Sequence, residues 1–571
     1  MIPIVTYTNY ETVFGRKPSE EELVEWVSGL SLGDCLHTIG KMSHALAADT
    51  PEGQQIILGI VLSGLPKPQQ ERLLGVLADG SSRRLIFAKQ LLALARVALL
   101  HAEDRLSDSF GGGVDLPKFV AALLGVADVY DTTDAEAATV ENGIPAEEFF
   151  CSFRLRRVGM PDRHPVHSLL RTMRVFVDLP ERHPDLVTTV KPGQAFEAEV
   201  GLSLERYLAV CVAANIRFAT WNGNADAWML DQGWWGQTAL HDEEIERALA
   251  TVSATPMELK EAIEEQLAIG RRSIDDIRPV MIKPLIRVGS TAYLPLDLQT
   301  LMDALLGDGL FWRLKPAQGA TQKERSDFGE SLGHLLEAHC LQVVEACLPD
   351  LSNGCKRVFP EFRYKVQTAE GDEPKDGPDV IVAEPGAAAF VEIGIDRVHV
   401  RDTLGAGDME SFRKDAKRII LHRAAQLSEK IDHARSGALT LQKSPEGAFD
   451  RIFPVICIWD GFPLGPYLYD RVLAMVRDEG YLTQENVAPL RIISVEDFEL
   501  LCALAAKGRT ISSVLRAHEE SGWHDDSIGS FLRDAYADEL ELPEPLKSEF
   551  PQVLKRLVDQ LFGATHAEAA P

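Results

Sequence analysis

The sequence has few of the cysteines that define disulfide-rich or zinc-binding scaffolds. It contains 8 cysteines in 571 residues, and no two of them form a CxxC pair. This number excludes a disulfide scaffold, and the spacing of Cys340, Cys347 and Cys355 fits neither a zinc finger nor a zinc ribbon. We therefore expect these three residues to be small buried side chains of a reduced, cytoplasmic protein.

Long apolar runs are also missing from the sequence. The most hydrophobic segment, residues 85–100, is interrupted by Lys89 and Arg96. It therefore falls short of the ~20 consecutive apolar residues that a membrane helix needs. The segment Met1–Lys17 lacks a basic start followed by an apolar core, so it does not resemble a secretory signal. We expect no membrane partner.

Positive charge is scarce. The chain has 58 Lys and Arg residues against 86 Asp and Glu residues, a formal net charge of −28. Wrapping of nucleic acid by the whole surface is excluded, because each phosphate contact requires a cation. Docking on anionic membranes is disfavoured for the same reason. A local basic groove is compatible with this balance, and the surplus acid is typical of a solubilising surface.

The pattern of apolar residues changes near residue 315. Residues 1–315 show mostly helical spacing and predict one or two helical subdomains, with two short strands around Gly289-Ser290. Residues 316–512 alternate strands with two long amphipathic helices, at 326–347 and 409–433, and predict an α/β domain. Residues 513–571 predict a helical tail. The fold class expected is therefore α+β and multidomain.

Two carboxylates stand out in the α/β region. Asp379 begins a predicted strand over 379–383, and Glu392 lies within the next predicted strand, over 388–400. Adjacent strands can bring the two side chains within a few ångströms of each other. Carboxylate oxygens are the ligands that Mg²⁺ prefers, and the metal can activate a water for hydrolysis. The pattern predicts a Mg²⁺ or Mn²⁺ site.

These residues resemble the PD-(D/E)xK restriction-endonuclease-like superfamily, whose core has the order αβββαβ. Residues 377–382 are similar to its PD strand, and 390–394 to its (D/E)xK strand. The resemblance covers about residues 320–510, a third of the chain. It implies a metal-dependent nuclease for DNA or RNA, with Asp379 and Glu392 as catalytic metal ligands. It also implies Glu330 as a further ligand, and Gln426 as the Gln found on the following helix in several nuclease branches.

The sequence departs from this superfamily at Gly394, which stands where the motif has its lysine. A replacement cation could come from the next helix, where Arg413, Lys414, Lys417 and Arg418 form a basic stripe. Lys414 and Lys417 are the first candidates for a catalytic role, and the stripe could also contact nucleic acid. Two alternatives are an inactive relative that has lost its lysine and a stripe that is only a solvated helix face.

A second motif, DTLGAGD at residues 402–408, resembles the DTxGAGD signature of ribokinase-type sugar kinases. In that family the last Asp, here Asp408, deprotonates the substrate hydroxyl. The kinases place a large α/β sheet before this loop, whereas the preceding half of this chain is helical. We therefore interpret the segment as a glycine-rich loop in which Asp408 caps the following helix.

Three hypotheses of function follow. The first is a metal-dependent nuclease, in a multi-subunit anti-phage defence system with partner proteins. The second is an inactive nuclease-fold scaffold that binds nucleic acid or a partner protein. The third is a small-molecule kinase. The retained carboxylates favour the first, the missing lysine favours the second, and the DTLGAGD motif favours the third.

Overall fold

The computed structural model falls into two compact units, each discontinuous along the chain. The sheet unit holds the described parts of 150–193 and 315–553, and the helical unit those of 3–149, 194–314 and 554–571. The change of pattern near residue 315 thus coincides with a break between units. Residues 164–193 and 513–553, by contrast, group with the sheet unit. The structure describes residues 6–48, 50–78, 83–103, 113–130, 164–188, 191–219, 229–268, 277–288, 292–314, 321–369, 371–398, 403, 408–459, 462, 466–523 and 527–563.

The helical unit is built from capped amphipathic helices. Ser19 accepts a hydrogen bond from Glu22 N and forms a capping box. Apolar faces of the helices between residues 10 and 130, together with those of Pro256–Ala268 and Arg278–Ile282, share one buried core. The helices span Tyr10–Phe14, Glu20–Ser28, Leu32–Ala48, Pro51–Gly64, Lys67–Ala78, Ala88–His101, Leu116–Tyr130, Leu204–Ala219, Gln232–Trp235, Asp242–Ala250, Pro256–Ala268, Arg278–Ile282, Leu298–Leu305 and Gly307–Leu314. Two further helices, Pro192–Val200 and Glu544–Phe562, contain residues of both units.

Five short strands complete the helical unit. Strands β1 and β2 pair in parallel, and β3, β4 and β5 form a small sheet in which β4 and β5 are antiparallel. The β4–β5 pair confirms the two strands predicted around Gly289-Ser290. The strands are β1 (Thr6–Tyr7), β2 (Arg83–Arg84), β3 (Ser253–Ala254), β4 (Leu285–Arg287) and β5 (Tyr293–Pro295).

The sheet unit contains a five-stranded mixed sheet and a separate hairpin. The sheet order is β12-β11-β10-β9-β6, with antiparallel pairing from β6 through β9 to β10 and parallel pairing from β10 through β11 to β12. Strands β7 and β8 form the hairpin. The predicted α/β character of this region is confirmed, with β7 and β8 outside the five-stranded sheet. The strands are β6 (Val358–Pro360), β7 (Arg363–Thr368), β8 (Gly371–Asp376), β9 (Val380–Glu384), β10 (Ala387–Gly394), β11 (Ile452–Ile458) and β12 (Arg491–Ser494).

The central strands are buried along their whole length, as expected for strands covered on both faces. The helices Gln322–Cys347 and His422–Arg435 both pack against β10. The helices of this unit are Pro165–Met173, Leu179–Arg182, Gln322–Cys347, Met409–Ala416, His422–Arg435, Pro466–Asp478, Val495–Ala506, Ile511–Glu520 and Ile528–Ala535, with π-helical turns at Arg174–Asp178 and Lys417–Leu421 and 3₁₀ turns at Pro184–Leu186 and Ala537–Glu539. Among all the described residues, no helix has the length and apolar character required to span a bilayer.

Candidate metal centre

The two predicted carboxylates meet at one end of the β9–β10 pair. The register ends with Val391 opposite Val380; Glu392 is the next residue of β10, and Asp379 is the residue directly before β9. The backbone N–H of Ile393 donates to Asp379 Oδ2 at 2.6 Å, which fixes the aspartate against β10. Glu392 lies on a strand as predicted, whereas Asp379 lies directly before β9, which begins at Val380 and not at the predicted residue 379.

Both carboxylates are held in surroundings that favour protonation. Glu392 is 5% exposed, and burial together with the neighbouring charge of Asp379 raises its pKa to about 7. Burial also raises the pKa of Asp379. Two acids this close repel each other when both are ionised. A cation between them would relieve that repulsion.

Helix Gln322–Cys347 contributes a third acid, Glu337. Burial, followed by the charges of Asp379, Glu361 and Glu392, raises the Glu337 pKa to about 8. The ligand expected from this helix, Glu330, lies two turns earlier and is exposed. Positions seven apart share a helical face, so Glu330 and Glu337 differ in their position along the helix, by about 10 Å, and it is Glu337 whose position brings it to the carboxylates.

A fourth acid, Glu361, follows strand β6. Its backbone N–H donates to the carbonyl oxygen of Asp379 at 3.0 Å. Burial and the charge of Asp379 raise the Glu361 pKa. The four acids Glu337, Glu361, Asp379 and Glu392 therefore form one electrostatically coupled cluster, which we call the acidic cluster.

Two cations of helix His422–Arg435, Lys430 and Arg423, interact electrostatically with the acidic cluster. Lys430 Nζ lies 2.5 Å from Glu392 Oε1, with the lysine side chain 13% exposed. The positive charge of Arg423 also acts on the carboxylates, lowering the pKa values of Asp379, Glu392 and Glu337 against the stronger effect of burial. Sequence reasoning missed both residues. Their spacing shows only that the two share a helix face, here with buried Leu427 between them, because positions seven apart do so; it does not show that this face meets the carboxylates.

The basic residues expected at the site lie elsewhere on the same helical segment. Lys414 is 70% exposed and pairs with Glu410 at 2.7 Å, and Lys417 is exposed as well. Gln426 lies half-buried on helix His422–Arg435. The π-helical turn Lys417–Leu421 separates the two groups of residues. Such a turn contains an extra residue, which rotates everything after it relative to a regular helix and changes which residues face the sheet.

The residues present fit a divalent cation. Among the described residues, no three His, Cys, Asp or Glu side chains are already grouped as a ligand set. Mg²⁺ nevertheless binds through one or two carboxylates with waters and substrate oxygens completing the shell. Asp379 and Glu392 supply such a pair. The donors are hard oxygens, and the surplus negative charge of the acidic cluster favours a cation.

The glycine-rich segment forms a helix cap. Asp408 accepts a hydrogen bond from Ser411 N at 2.8 Å at the start of helix Met409–Ala416, which confirms the predicted N-cap. Thr403 is fully buried and donates to Asp415 Oδ2 at 2.7 Å. Positions 402 and 404–407 of the motif lie outside the described residues. The part that is described is satisfied by local hydrogen bonds.

Comparisons with known protein families, curated proteins and solved structures find no match to this chain. The geometry of the acidic cluster and its two cations is therefore the basis on which a function can be argued.

Proposed function

We propose that the chain is a metal-dependent phosphodiesterase that cleaves nucleic acid, DNA or RNA, at the acidic cluster. The observation that carries the proposal is the placement of Asp379 and Glu392 at one end of the adjoining strands β9 and β10, with surplus carboxylates and two helix-borne cations around them. The element order of helix, three sheet strands, helix and strand agrees with the superfamily that the sequence resembles, with the β7–β8 hairpin inserted. The anti-phage setting and its partner proteins rest on analogy with that superfamily alone.

Each residue has a definable part in such a reaction. Asp379 and Glu392 would hold Mg²⁺ or Mn²⁺, which when bound supplies a Lewis acid for the phosphodiester and lowers the pKa of water. The Ile393 N–H fixes one oxygen of Asp379, and Lys430 fixes one oxygen of Glu392. Glu337, with a pKa raised by burial to about 8, can hold or release a proton near neutral pH.

A non-catalytic scaffold is the second candidate. The observation that favours it is the 2.5 Å ion pair, through which Lys430 already compensates the charge of Glu392 without a metal. In this case the acidic cluster would serve the fold only, and partner or nucleic-acid binding would use another surface. The kinase hypothesis has less support, because Asp408 caps its own helix.

The test measures metal binding and cleavage separately. Millimolar Mn²⁺ should stabilise the wild type by about 2.7 kcal/mol at a hundredfold excess over Kd, seen as a rise in melting temperature. Glu392→Ala should remove most of this increment. Glu429→Ala is the matched control. Glu429 lies on helix His422–Arg435, is half exposed and pairs with Lys375.

Cleavage of labelled DNA and RNA strands then distinguishes the candidates. Metal-dependent cleavage by the wild type that is lost in Glu392→Ala supports the phosphodiesterase. A Mn²⁺-induced rise in melting temperature without cleavage of DNA or RNA supports the scaffold, which would retain the metal site without catalytic activity. The absence of any Mn²⁺ shift in the wild type would refute the metal centre itself.

A further inference from the structure

The space beside Gly394 is filled by Arg423. A β-carbon built at Gly394 would lie 2.2 Å from Arg423 Nη2 and 2.5 Å from Arg423 Cζ, far inside van der Waals contact. Gly394 does not have the positive φ that favours glycine elsewhere in the chain. Glycine at position 394 therefore leaves room for the Arg423 guanidinium to lie against the backbone of β10.

The Arg423 guanidinium is held in this position from two sides. Its Nη2 lies 2.7 Å from Asp396 Oδ2, and its Nη1 donates to the Ile419 carbonyl at 3.0 Å. Asp396 is fixed in turn, because its other oxygen accepts from Arg418 Nη1 at 2.8 Å. Asp396 thus bridges two arginines, and the position of Arg423 follows from its contacts with Asp396 and Gly394.

The location of Arg423 suits an anion that meets the acidic cluster. Gly394 and Glu392 are two residues apart on β10 and so lie on the same face of the sheet. A guanidinium carries five N–H donors in a planar fork that matches a phosphate group. The contacts above use two of these donors. Lys430, by comparison, pairs with a member of the acidic cluster itself, Glu392.

We propose that Arg423, whose guanidinium occupies the space beside Gly394, binds a phosphate oxygen of the nucleic-acid substrate. Asp396 is its positioning residue. This inference rests on the proposed function and deepens it, since it assigns the substrate-binding cation of the same site. The arginine reaches the phosphate from helix His422–Arg435, in place of a lysine on β10. A lysine introduced at position 394 would collide with the guanidinium and is expected to impair the site.

Three substitutions perturb this arrangement in independent ways. Arg423→Gln removes the cation, Gly394→Ala displaces it through a steric clash, and Asp396→Asn weakens its anchor. We expect roughly tenfold weaker binding for the first two and a smaller loss for the third. The probe is a short phosphorothioate DNA strand in Mn²⁺, titrated by fluorescence anisotropy over a series of salt concentrations.

The salt series separates a phosphate contact from a structural role. Loss of one contact should lower the slope of log K against log salt by about 0.7 for a single strand. Arg423→Lys should show a steeper dependence of log K on log salt than Arg423→Gln, because the lysine restores a cation. Arg477→Gln is the matched control, since Arg477 is exposed on helix Pro466–Asp478, and it should bind as the wild type does.

The Mn²⁺ melting shift distinguishes the failure of this inference from the failure of the proposed function. Arg423→Gln leaves the carboxylates in place, so its Mn²⁺ shift should equal or exceed that of the wild type, which also demonstrates folding. A retained shift with unchanged DNA affinity and slope would overturn the role of Arg423. A wild type without any shift would overturn the metal centre instead. If Gly394→Ala fails to fold, Arg423→Gln alone decides the outcome.

Discussion

Two buried glutamates of the sheet unit differ in how their charge is balanced. Glu499, on helix Val495–Ala506, is fully buried and accepts two hydrogen bonds from Arg171, at 2.9 and 2.7 Å. His339 Nε2 lies 2.8 Å from the same carboxylate. Burial alone would raise the Glu499 pKa, but the charge and hydrogen bonds of Arg171 and the contact with His339 hold it at about 2.

Glu392 is almost as buried, yet its pKa rises to about 7. Its carboxylate has one close cation, Lys430, and shares its surroundings with further acids. The difference teaches that burial by itself does not define a binding site. Glu499 has its charge matched by Arg171, which also lies 3.6 Å from buried Glu496, and these contacts hold helices together. An acid cluster with surplus negative charge still requires a cation or protons, as functional sites commonly do.

The largest loss of stability is expected where a cation fully compensates a buried carboxylate, as Arg171 does for Glu499. Arg171→Ala would leave Glu499 ionised and buried with only His339, and should cost about 3–5 kcal/mol of stability in urea unfolding. Lys430→Ala should cost less, because Glu392 can take up a proton. Arg182→Ala, which removes an exposed partner of Glu549, should cost less than about 1 kcal/mol. Equal losses of stability in Arg171→Ala and Lys430→Ala would show that the charges of Glu499 and Glu392 are not balanced differently.

Metal binding should depend on pH at the acidic cluster. Glu392 and Glu337, with pKa values of about 7 and 8, must lose protons before a cation can use their charge. Mn²⁺ affinity should therefore rise between pH 6 and pH 8, by up to tenfold or about 1.4 kcal/mol per pH unit. Isothermal titration calorimetry at several pH values measures this rise. A flat profile would show that these acids are ionised throughout.

Glu337 should destabilise the fold at high pH. Its folded pKa of about 8 lies above the ordinary 4.5, so the folded state holds the proton more tightly than the unfolded state. The resulting stabilisation is complete below pH 4.5 and is lost as pH rises through 8. Glu337→Gln should therefore gain a few kcal/mol over the wild type at pH 9, since about 1.4 kcal/mol is lost for each pH unit between 4.5 and 8.

Urea unfolding at pH 5 and pH 9 checks this prediction. Glu330→Gln is the matched control, because Glu330 lies on the same helix and is exposed. It should leave the pH dependence of the wild type unchanged. If Glu337→Gln shows the same loss of stability between the two pH values as the wild type, Glu337 is not protonated in the folded protein.

The smallest effect is expected at the glycine-rich loop. Asp408→Asn should change stability by only a few tenths of a kcal/mol, because Asn caps a helix about as well as Asp. Nucleic-acid cleavage should also be unchanged, since Asp408 caps a helix and is not a member of the acidic cluster. ATP-dependent phosphorylation of a sugar or nucleoside that this substitution abolishes would instead favour the kinase.

The strands and their carboxylates could be read from local pattern. Alternating apolar runs, a turn at 384–386 and the two acids beside them predicted the β9–β10 pair and its chemistry. The cations could not be placed in the same way. The stripe at Lys414 and Lys417 follows from a regular helix, whereas the π-helical turn Lys417–Leu421 rotates the later residues. Nothing in the local composition of that segment signals the extra residue.

The sequence by itself determined the alternation of strands and helices after residue 315, the N-cap at Asp408, and the presence of Asp379 and Glu392 at one end of two neighbouring strands. These features depend on residues near one another in the chain. Only the tertiary structure decided that Glu337 rather than Glu330 faces the carboxylates, and that Arg423 occupies the space above Gly394. The physical reason is that the first outcome depends on how far along the sheet a helix lies and the second on how a helix is rotated as it packs, and packing sums contacts between distant segments of the chain.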